Sequence, residues 1–368
     1  MTIEEKAYWH WFLSIPISYI GQRKLITQLQ TPQKVWEASE QQIIEIIGKT
    51  QQSIEYLKSS KNTDWKNAYL QMEQKRIRLT LKGEAGYPLS LLPLPDAPYG
   101  LYHIGDLPGE ELCVAIVGAR GCSRYGRETA AVLGRALGEA GISVVSGMAR
   151  GIDGAAQWAA MAGGGKSYGV LGCGVDICYP EENRELYEKL QVQGALISEF
   201  PPGTEPLAWH FPVRNRIISG LARVLVVVEA REKSGSLITA DLALEQGRDI
   251  YAVPGRMTDA LSHGCNELIR NGAGILISPE MLLDELGMVY TKKEKNSKKI
   301  QIGLAEKENL LYSGLDLTPK STEAISKETG LPVAEIMELM VSLQLKGLVV
   351  EEGTGYYALA DGRNVYGR

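Results

Sequence analysis

The sequence predicts an α/β fold: an extended Rossmann-like, doubly wound and mostly parallel sheet, with an N-terminal helical domain and a C-terminal winged helix. Three observations predict it. From residue 112 onward, short apolar runs alternate with amphipathic stretches, the pattern of strands buried on both faces of a parallel sheet. Three successive runs end in glycine-rich loops, and the chain's 40 glycines cluster between residues 118 and 174. Residues 305–368 read helix, helix, helix, hairpin, the order of a winged helix.

Taken in order, residues 1–70 read as a domain of short helices. Candidates are Ile3–Leu13, Gly21–Leu29, Thr31–Ala38, Glu40–Ile47 and Gln51–Ser59. Thr31-Pro32 is a cap followed by proline at the first helical position, a start signal. Ile17-Ser-Tyr-Ile-Gly21 has some likeness to a helix-hairpin-helix turn, but Tyr19 stands where such turns carry a second glycine. A small protein-contact bundle is the favoured reading. The main domain spans 71–287. It opens with alternation in Arg76-Ile-Arg-Leu-Thr-Leu81, a strand signal, and a proline-rich crossing from Pro93 to Pro98. Its apolar strands are Leu112–Val117, Ile142–Ser146, Ser167–Leu171, Ala195–Ser198, Val224–Val228, Ile250–Val253 and Ile275–Ile277. Residues 288–304 form a lysine-rich linker, a solvated tether. In the tail, Ser321–Thr329 and Val333–Leu345 flank Gly330-Leu-Pro332, and the wing folds about Gly353-Thr-Gly355.

Composition narrows the function. A formal net charge of −5 excludes a wholly basic nucleic-acid coat but leaves room for a local basic groove. The five cysteines form no C-x-x-C pair, and Cys173 and Cys178, five apart, have no histidine nearby, so neither a disulfide framework nor a zinc site is expected, and a reducing cytoplasm fits. The first residues are acidic where a signal peptide is basic, and no apolar run approaches the roughly 20 residues of a membrane span. No cofactor motif is present.

The candidate chemistry lies at the strand ends. Phe211-Pro-Val-Arg-Asn-Arg-Ile-Ile-Ser-Gly-Leu221 places Arg214, Asn215 and Arg216 early in a helix, followed by an apolar strand and a Ser234-Gly-Ser236 turn. Guanidiniums, a helix N-terminus and small residues are the parts of an anion site. The first strand leads into Val117-Gly-Ala-Arg-Gly-Cys-Ser-Arg-Tyr-Gly126, which is not G-x-G-x-x-G, and no acidic residue ends the second strand to hold a ribose. A dinucleotide site is thereby disfavoured. The second strand leads to Arg150 and to Asp153, read as a helix N-cap. After the third, Gly172 and Gly174 read as tight-turn residues. His210 reads as a helix-start residue rather than a base. Glu199 and Glu229 follow apolar strands and could pair, with capping and loop order the favoured role. A rim of this length suits an extended backbone better than one phosphate.

These motifs, with Tyr179-Pro-Glu-Glu-Asn183, Val253-Pro-Gly255 and Gly264-Cys-Asn266, resemble the DNA-processing protein A (DprA/Smf) family from about Tyr87 to Leu286. The resemblance implies a non-catalytic, dimeric protein of natural transformation that binds single-stranded DNA, protects incoming DNA and helps load the RecA recombinase. Carried over, the family's loop arginine is Arg120; on the reading of the rim itself, Arg150, Arg214 and Arg216 would also neutralise phosphates. Gly118, Ser123, Gly147, Asn183, Asn215, Ser234 and Ser236 would supply hydrogen bonds, with Arg124, Lys233 and Gly235 on the same rim. Two positions depart from the family pattern: Glu181 stands where a lysine is common, and Gln157 replaces a histidine. The rival reading is a nucleotide phosphoribohydrolase, whose signature needs a glutamate that Ser234-Gly-Ser-Leu-Ile-Thr239 lacks. A small-nucleotide sensor stays open. The tail carries six basic and ten acidic residues, and none of Val333–Leu345 is basic. A protein-contact or regulatory role is therefore expected of it.

Overall fold

A computed structural model describes residues 1–48, 51–288, 306–315 and 319–359. Contacts divide the chain into two units, Met1–Tyr290 and Thr291–Arg368. The expected linker, 288–304, lies almost wholly outside the described residues.

Six helices open the first unit: α1 Ile3–Leu13, α2 Tyr19–Leu29, α3 Pro32–Glu37, α4 Glu40–Ile47, α5 Gln51–Ser60 and α6 Trp65–Gln74. Local chemistry sets their starts. Thr2 and Ser39 close capping boxes with Glu5 and Gln42, and Thr31 caps α3 ahead of Pro32. Gly21 sits inside α2, and its N–H donates to the Ser18 hydroxyl at 3.3 Å. That amide is spent on a helix start, not on a hairpin that could hold phosphate. The expected boundary at residue 70 cuts through α6, which the sequence reading missed. These helices do not form a core of their own. Trp11, Phe12, Leu25, Tyr69 and Met72 pack with Leu79, Leu81 and Tyr102 from the sheet edge.

The sheet begins with β1 Arg78–Leu81 and β2 Gly100–Gly105. The alternating units follow: β3 Cys113–Val117, α7 Arg124–Glu139, β4 Ser143–Ser146, α8 Ile152–Ala162, β5 Ser167–Val170, α9 Arg184–Leu190, β6 Gly194–Ser198, α10 His210–Leu221, β7 Val224–Val227, α11 Gly235–Glu245, β8 Asp249–Ala252, α12 His263–Arg270, β9 Gly274–Ile275 and α13 Pro279–Glu285. The nine strands lie in the order β1-β2-β6-β5-β4-β3-β7-β8-β9. From β6 to β9 all neighbours are parallel, while β1–β2 and β2–β6 are antiparallel. The chain winds outward from β3 through β4 to one side, then returns to β7 on the other. That reversal opens a crevice at the carboxyl ends of β3 and β7, where doubly wound sheets bind ligands.

Strand periodicity builds both faces. Val114, Ile116, Val144 and Val226 turn towards α7, α8 and α13. Ala115, Val117, Val145, Leu225 and Val227 turn to the opposite core with Ile217, Leu221 and Ala240. Two glycines one turn apart bring α7 against α8. A Cβ on Gly134 or Gly138 would overlap the carbonyl oxygens of Ala156 and Ala160.

The second unit holds α14 Glu306–Gly314, β10 Lys320–Ser321, α15 Thr322–Thr329, α16 Val333–Leu345, β11 Val349–Glu351 and β12 Tyr356–Leu359. β12 pairs antiparallel with both β10 and β11. Leu311, Ile325, Ile336, Met340, Leu343 and Tyr357 form its core.

Candidate anion-binding site

Helix α10 supplies one wall of the crevice through its period. Phe211, Arg214, Asn215 and Ile218, at i, i+3, i+4 and i+7, all line one cavity of about 710 Å³. The loop after β3 adds Gly118 and Arg120, and the start of α11 adds Lys233, Ser234, Gly235 and Ser236. Arg231 and Tyr179, absent from the sequence-predicted set, line it too. Eight of the fourteen predicted residues thus meet around one space.

Its electrostatics are uneven. Arg120, Arg231 and Lys233 are exposed and make no ion pair among the described residues. The Arg120 guanidinium lies 5.3 Å from the Phe211 ring centroid, and that of Arg214 lies 5.9 Å from it, within cation–π range. Tyr179 lies 5.6 Å from the same ring. Arg214 is only 4% exposed. It donates to the carbonyls of Gly147, at 2.9 Å, and Val170, while its Nε has no partner. Burial pulls its pKa down to about 10, against the attraction of Asp153. Arg214 therefore ties the ends of β4 and β5 to α10 and gives the cavity a desolvated positive floor.

The remaining six predicted residues stand elsewhere. Arg216 is a correction: it is 5% exposed and turns to the far side of α10. There it pairs with Glu199 and, at 3.2 Å, with Asp96. Two residues along a helix rotate a side chain by about 200°, so Arg214 and Arg216 cannot share a face. The Asn183 amide donates to the carbonyls of Met148 and Ala149 at 2.9 and 3.1 Å, which holds the loop after β4 rather than a ligand. Arg150 pairs with Glu182 and Arg124 with Glu128. Gly147 lies under the Arg214 guanidinium. Ser123 caps α7 and donates from both its N–H and its hydroxyl to Glu229.

One further reading is corrected. Asp153 is not the N-cap of α8, which is Gly151. Its carboxylate accepts the Gly147 N–H at 3.0 Å, and burial raises its pKa against the pull of Arg214. Gly151 adopts φ 78°, and it packs directly on the Ala119 and Arg120 carbonyls, joining the first two glycine loops. Gly172 and Gly174 have no positive φ, and the Gly174 carbonyl accepts the Ile177 N–H at 3.0 Å in a turn. A Cβ on Gly172 would stand 2.9 Å from the Phe211 ring, so that glycine makes room for the cavity wall. Glu229 orders the loop at Ser123, the role favoured from the sequence, and Glu199 serves Arg216, so the two do not pair with each other. His210 begins α10, with Nδ1 3.0 Å from the Gly172 carbonyl. The helical spacing of Phe211, Arg214, Asn215 and Ile218 was the signal that could have separated Arg214 from Arg216 and added Phe211. Arg231 carried no comparable signal.

A basic cavity with an aromatic wall, at the switch point of a doubly wound sheet, has the chemistry to hold an anion, and the fold is that of an extended Rossmann-like protein. The model of the family described as DNA recombination-mediator protein A matches residues 78–287. The protein Smf of Synechocystis is 31% identical over 96% of this chain and 98% of its own. The chain therefore belongs to the DNA recombination-mediator protein A family. The DNA processing protein DprA of Streptococcus pneumoniae is 44% identical over 54% of this chain and 71% of its own. A solved structure of the S. pneumoniae protein covers 76% of this chain and 97% of its own, with TM-score 0.65 and 35% identity. The Helicobacter pylori DNA processing protein A, reported for its single-stranded DNA binding mode, covers 57% of this chain and 95% of its own, with TM-score 0.51 and 29% identity. Among the described residues no helix is long and apolar enough to cross a membrane, and no group of side chains could hold a metal ion.

Proposed function

We propose that the protein binds the backbone of single-stranded DNA at the cavity between α10 and α11, without a catalytic step. It acts as a cytoplasmic homodimer that protects incoming DNA in natural transformation and helps load the RecA recombinase. The observation that carries the binding is the set of cations without an ion pair among the described residues, Arg120, Arg231 and Lys233, around a buried Arg214, a half-buried Phe211 and an exposed Tyr179. Such a site neutralises successive phosphates and offers π-faces to any base. Family membership supports it, as does the single-strand binding reported for the H. pylori relative. Phosphate contacts go to Arg120, Arg231 and Lys233, with hydrogen bonds from Asn215, Ser234 and Ser236. Arg150 and Arg124 would have to leave Glu182 and Glu128 to join them.

The hydrolase reading finds less support. Asp153 is the sole carboxylate in the cavity lining, and it is buried and engaged by Gly147. Glycosidic cleavage that uses a carboxylate pair has no second partner there. Titration of labelled oligo-dT and of blunt duplex, at about 50 and 200 mM salt, tests the proposal. Single strands should bind more tightly, with little sequence preference and a steep salt dependence. Equal affinity for blunt duplex, or release of free base from nucleoside monophosphates, would overturn it.

A further inference from the structure

The loop that carries Arg120 is held from beneath by a buried carboxylate. Glu229 follows β7 and is 3% exposed. One of its oxygens accepts the Ser123 N–H at 2.8 Å, and the other accepts the Ser123 hydroxyl proton. That hydroxyl in turn accepts the Gly126 N–H at 3.0 Å, so the carboxylate reaches the first turn of α7 through a relay. The Glu229 backbone carbonyl accepts the Ala119 N–H at 2.7 Å. Both ends of the segment 119–123 are therefore fixed to one residue, with Arg120 between them. Two glycines clear the space. A Cβ on Gly126 would overlap the Glu229 carboxyl, and one on Gly118 would stand 3.0 Å from the Glu229 carbonyl oxygen.

This is the place where a doubly wound fold usually offers its first glycine loop and helix N-terminus to a ligand phosphate. Here the seat is filled from within. The carboxylate takes hydrogen bonds of the kind a phosphate oxygen would take and lies at the positive end of a helix of 16 residues. No cationic side chain pairs with it among the described residues.

We propose that Glu229 is an internal phosphate mimic and a positioning residue. It closes the α7 N-terminus to nucleotides and sets the segment 119–123 so that Arg120 meets DNA phosphate outside it, against Phe211. This rests on the reading of Arg120 as a phosphate ligand. Three features follow from it. The residue acts through the loop, so its loss should weaken DNA binding without removing a phosphate contact. The function depends on charge and acceptor oxygens, so glutamine should not replace it. A small carboxylate should partly restore a truncated side chain.

The test uses the full chain and labelled oligo-dT. Glu229→Gln should weaken binding about tenfold, the scale of one hydrogen bond to a charged group, with the slope of log affinity against log salt unchanged. Glu229→Ala should lose at least as much and recover part of it in formate, compared with chloride at equal ionic strength. Wild-type affinity in Glu229→Gln, a reduced salt slope, or no formate effect in a folded Glu229→Ala would overturn the proposal. If Glu229→Ala does not fold, Glu229→Gln decides alone. Arg120→Ala is the control for the underlying reading. If it changes neither affinity nor slope, the DNA site is misassigned, whatever Glu229 does.

Discussion

Arg214 and Arg216 stand two residues apart and serve opposite sides of α10. Arg214 lines the cavity, while Arg216 is buried against Glu199 and Asp96 with Tyr19 at 5.9 Å. Both look equally suited to phosphate in the sequence, because composition does not report which face a helix buries. Mutation should separate exposed ligands from buried struts. Arg120→Ala should weaken single-strand binding of every sequence alike and lower the salt slope by about 1. Arg216→Ala should leave the slope intact. It strands the Glu199 carboxylate, so unfolding in urea should show a loss of about 3–5 kcal/mol. Replacing the pair together, Arg216→Met with Glu199→Leu, should recover much of that loss, because neither charge is then left buried alone. A salt slope lowered in Arg216→Ala at unchanged stability would return Arg216 to the DNA site.

Elements were legible where their signal was local. Because strands buried on both faces need continuous apolar sequence, the seven apolar runs from Leu112 onward each overlap a strand, though Ile275–Ile277 shares only Ile275 with β9. β2 was missed: Gly100 and Gly105 bound it, prolines precede it, and His103 interrupts its apolar run. α6 was missed because only Tyr69 and Met72 of its ten residues are buried. The close approach of α7 and α8 was likewise hidden, since a glycine pair reads as weak helix until its partner is known. Gly138→Ala should cost about 1–3 kcal/mol by forcing these helices apart, despite the better helix propensity of alanine. Equal or greater stability in that variant would contradict the packing. The seam between the N-terminal helices and the sheet edge adds a pH dependence. His10 contacts the Tyr102 hydroxyl at 2.9 Å, and His103 contacts the Thr80 hydroxyl at 3.0 Å. Burial pulls both pKa values down from 6.5 to about 4. The unfolded chain therefore binds these protons first, so the stability is present above about pH 6.5 and is lost as pH falls towards 4. Between pH 7 and pH 5 each histidine should cost about 2 kcal/mol. Urea titrations at the two pH values check this, and His10→Gln should remove about half of the difference.

At the scale of the whole molecule, the two units differ in the surfaces they offer. The first places Arg120, Arg231 and Lys233, which make no ion pair among the described residues, around one cavity although the chain as a whole is acidic, at −5. The described residues of the second offer no comparable cluster of cations. Its helix α16 is a recognition helix by position alone, if the unit acts as a winged helix. Glu335 and Glu338 stand on it with no basic residue, so a phosphate backbone would be repelled. Ile336, Met340 and Leu343 account for its core side, while Val333, Met337, Val341 and Leu345 remain exposed at intervals of four residues. A stripe of that kind fits a protein surface, not a polyanion. Removal of residues 300–368 should therefore leave single-strand affinity within a few-fold of the full chain, with the salt slope unchanged, because the cations proposed to meet phosphate all lie before residue 240. The measurement is the oligo-dT titration on the truncated chain, with folding and oligomeric state checked in parallel. A loss of about two orders of magnitude in a folded protein of unchanged oligomeric state would show that the tail itself grips DNA. The acidic α16 would then have to be facing away from the strand.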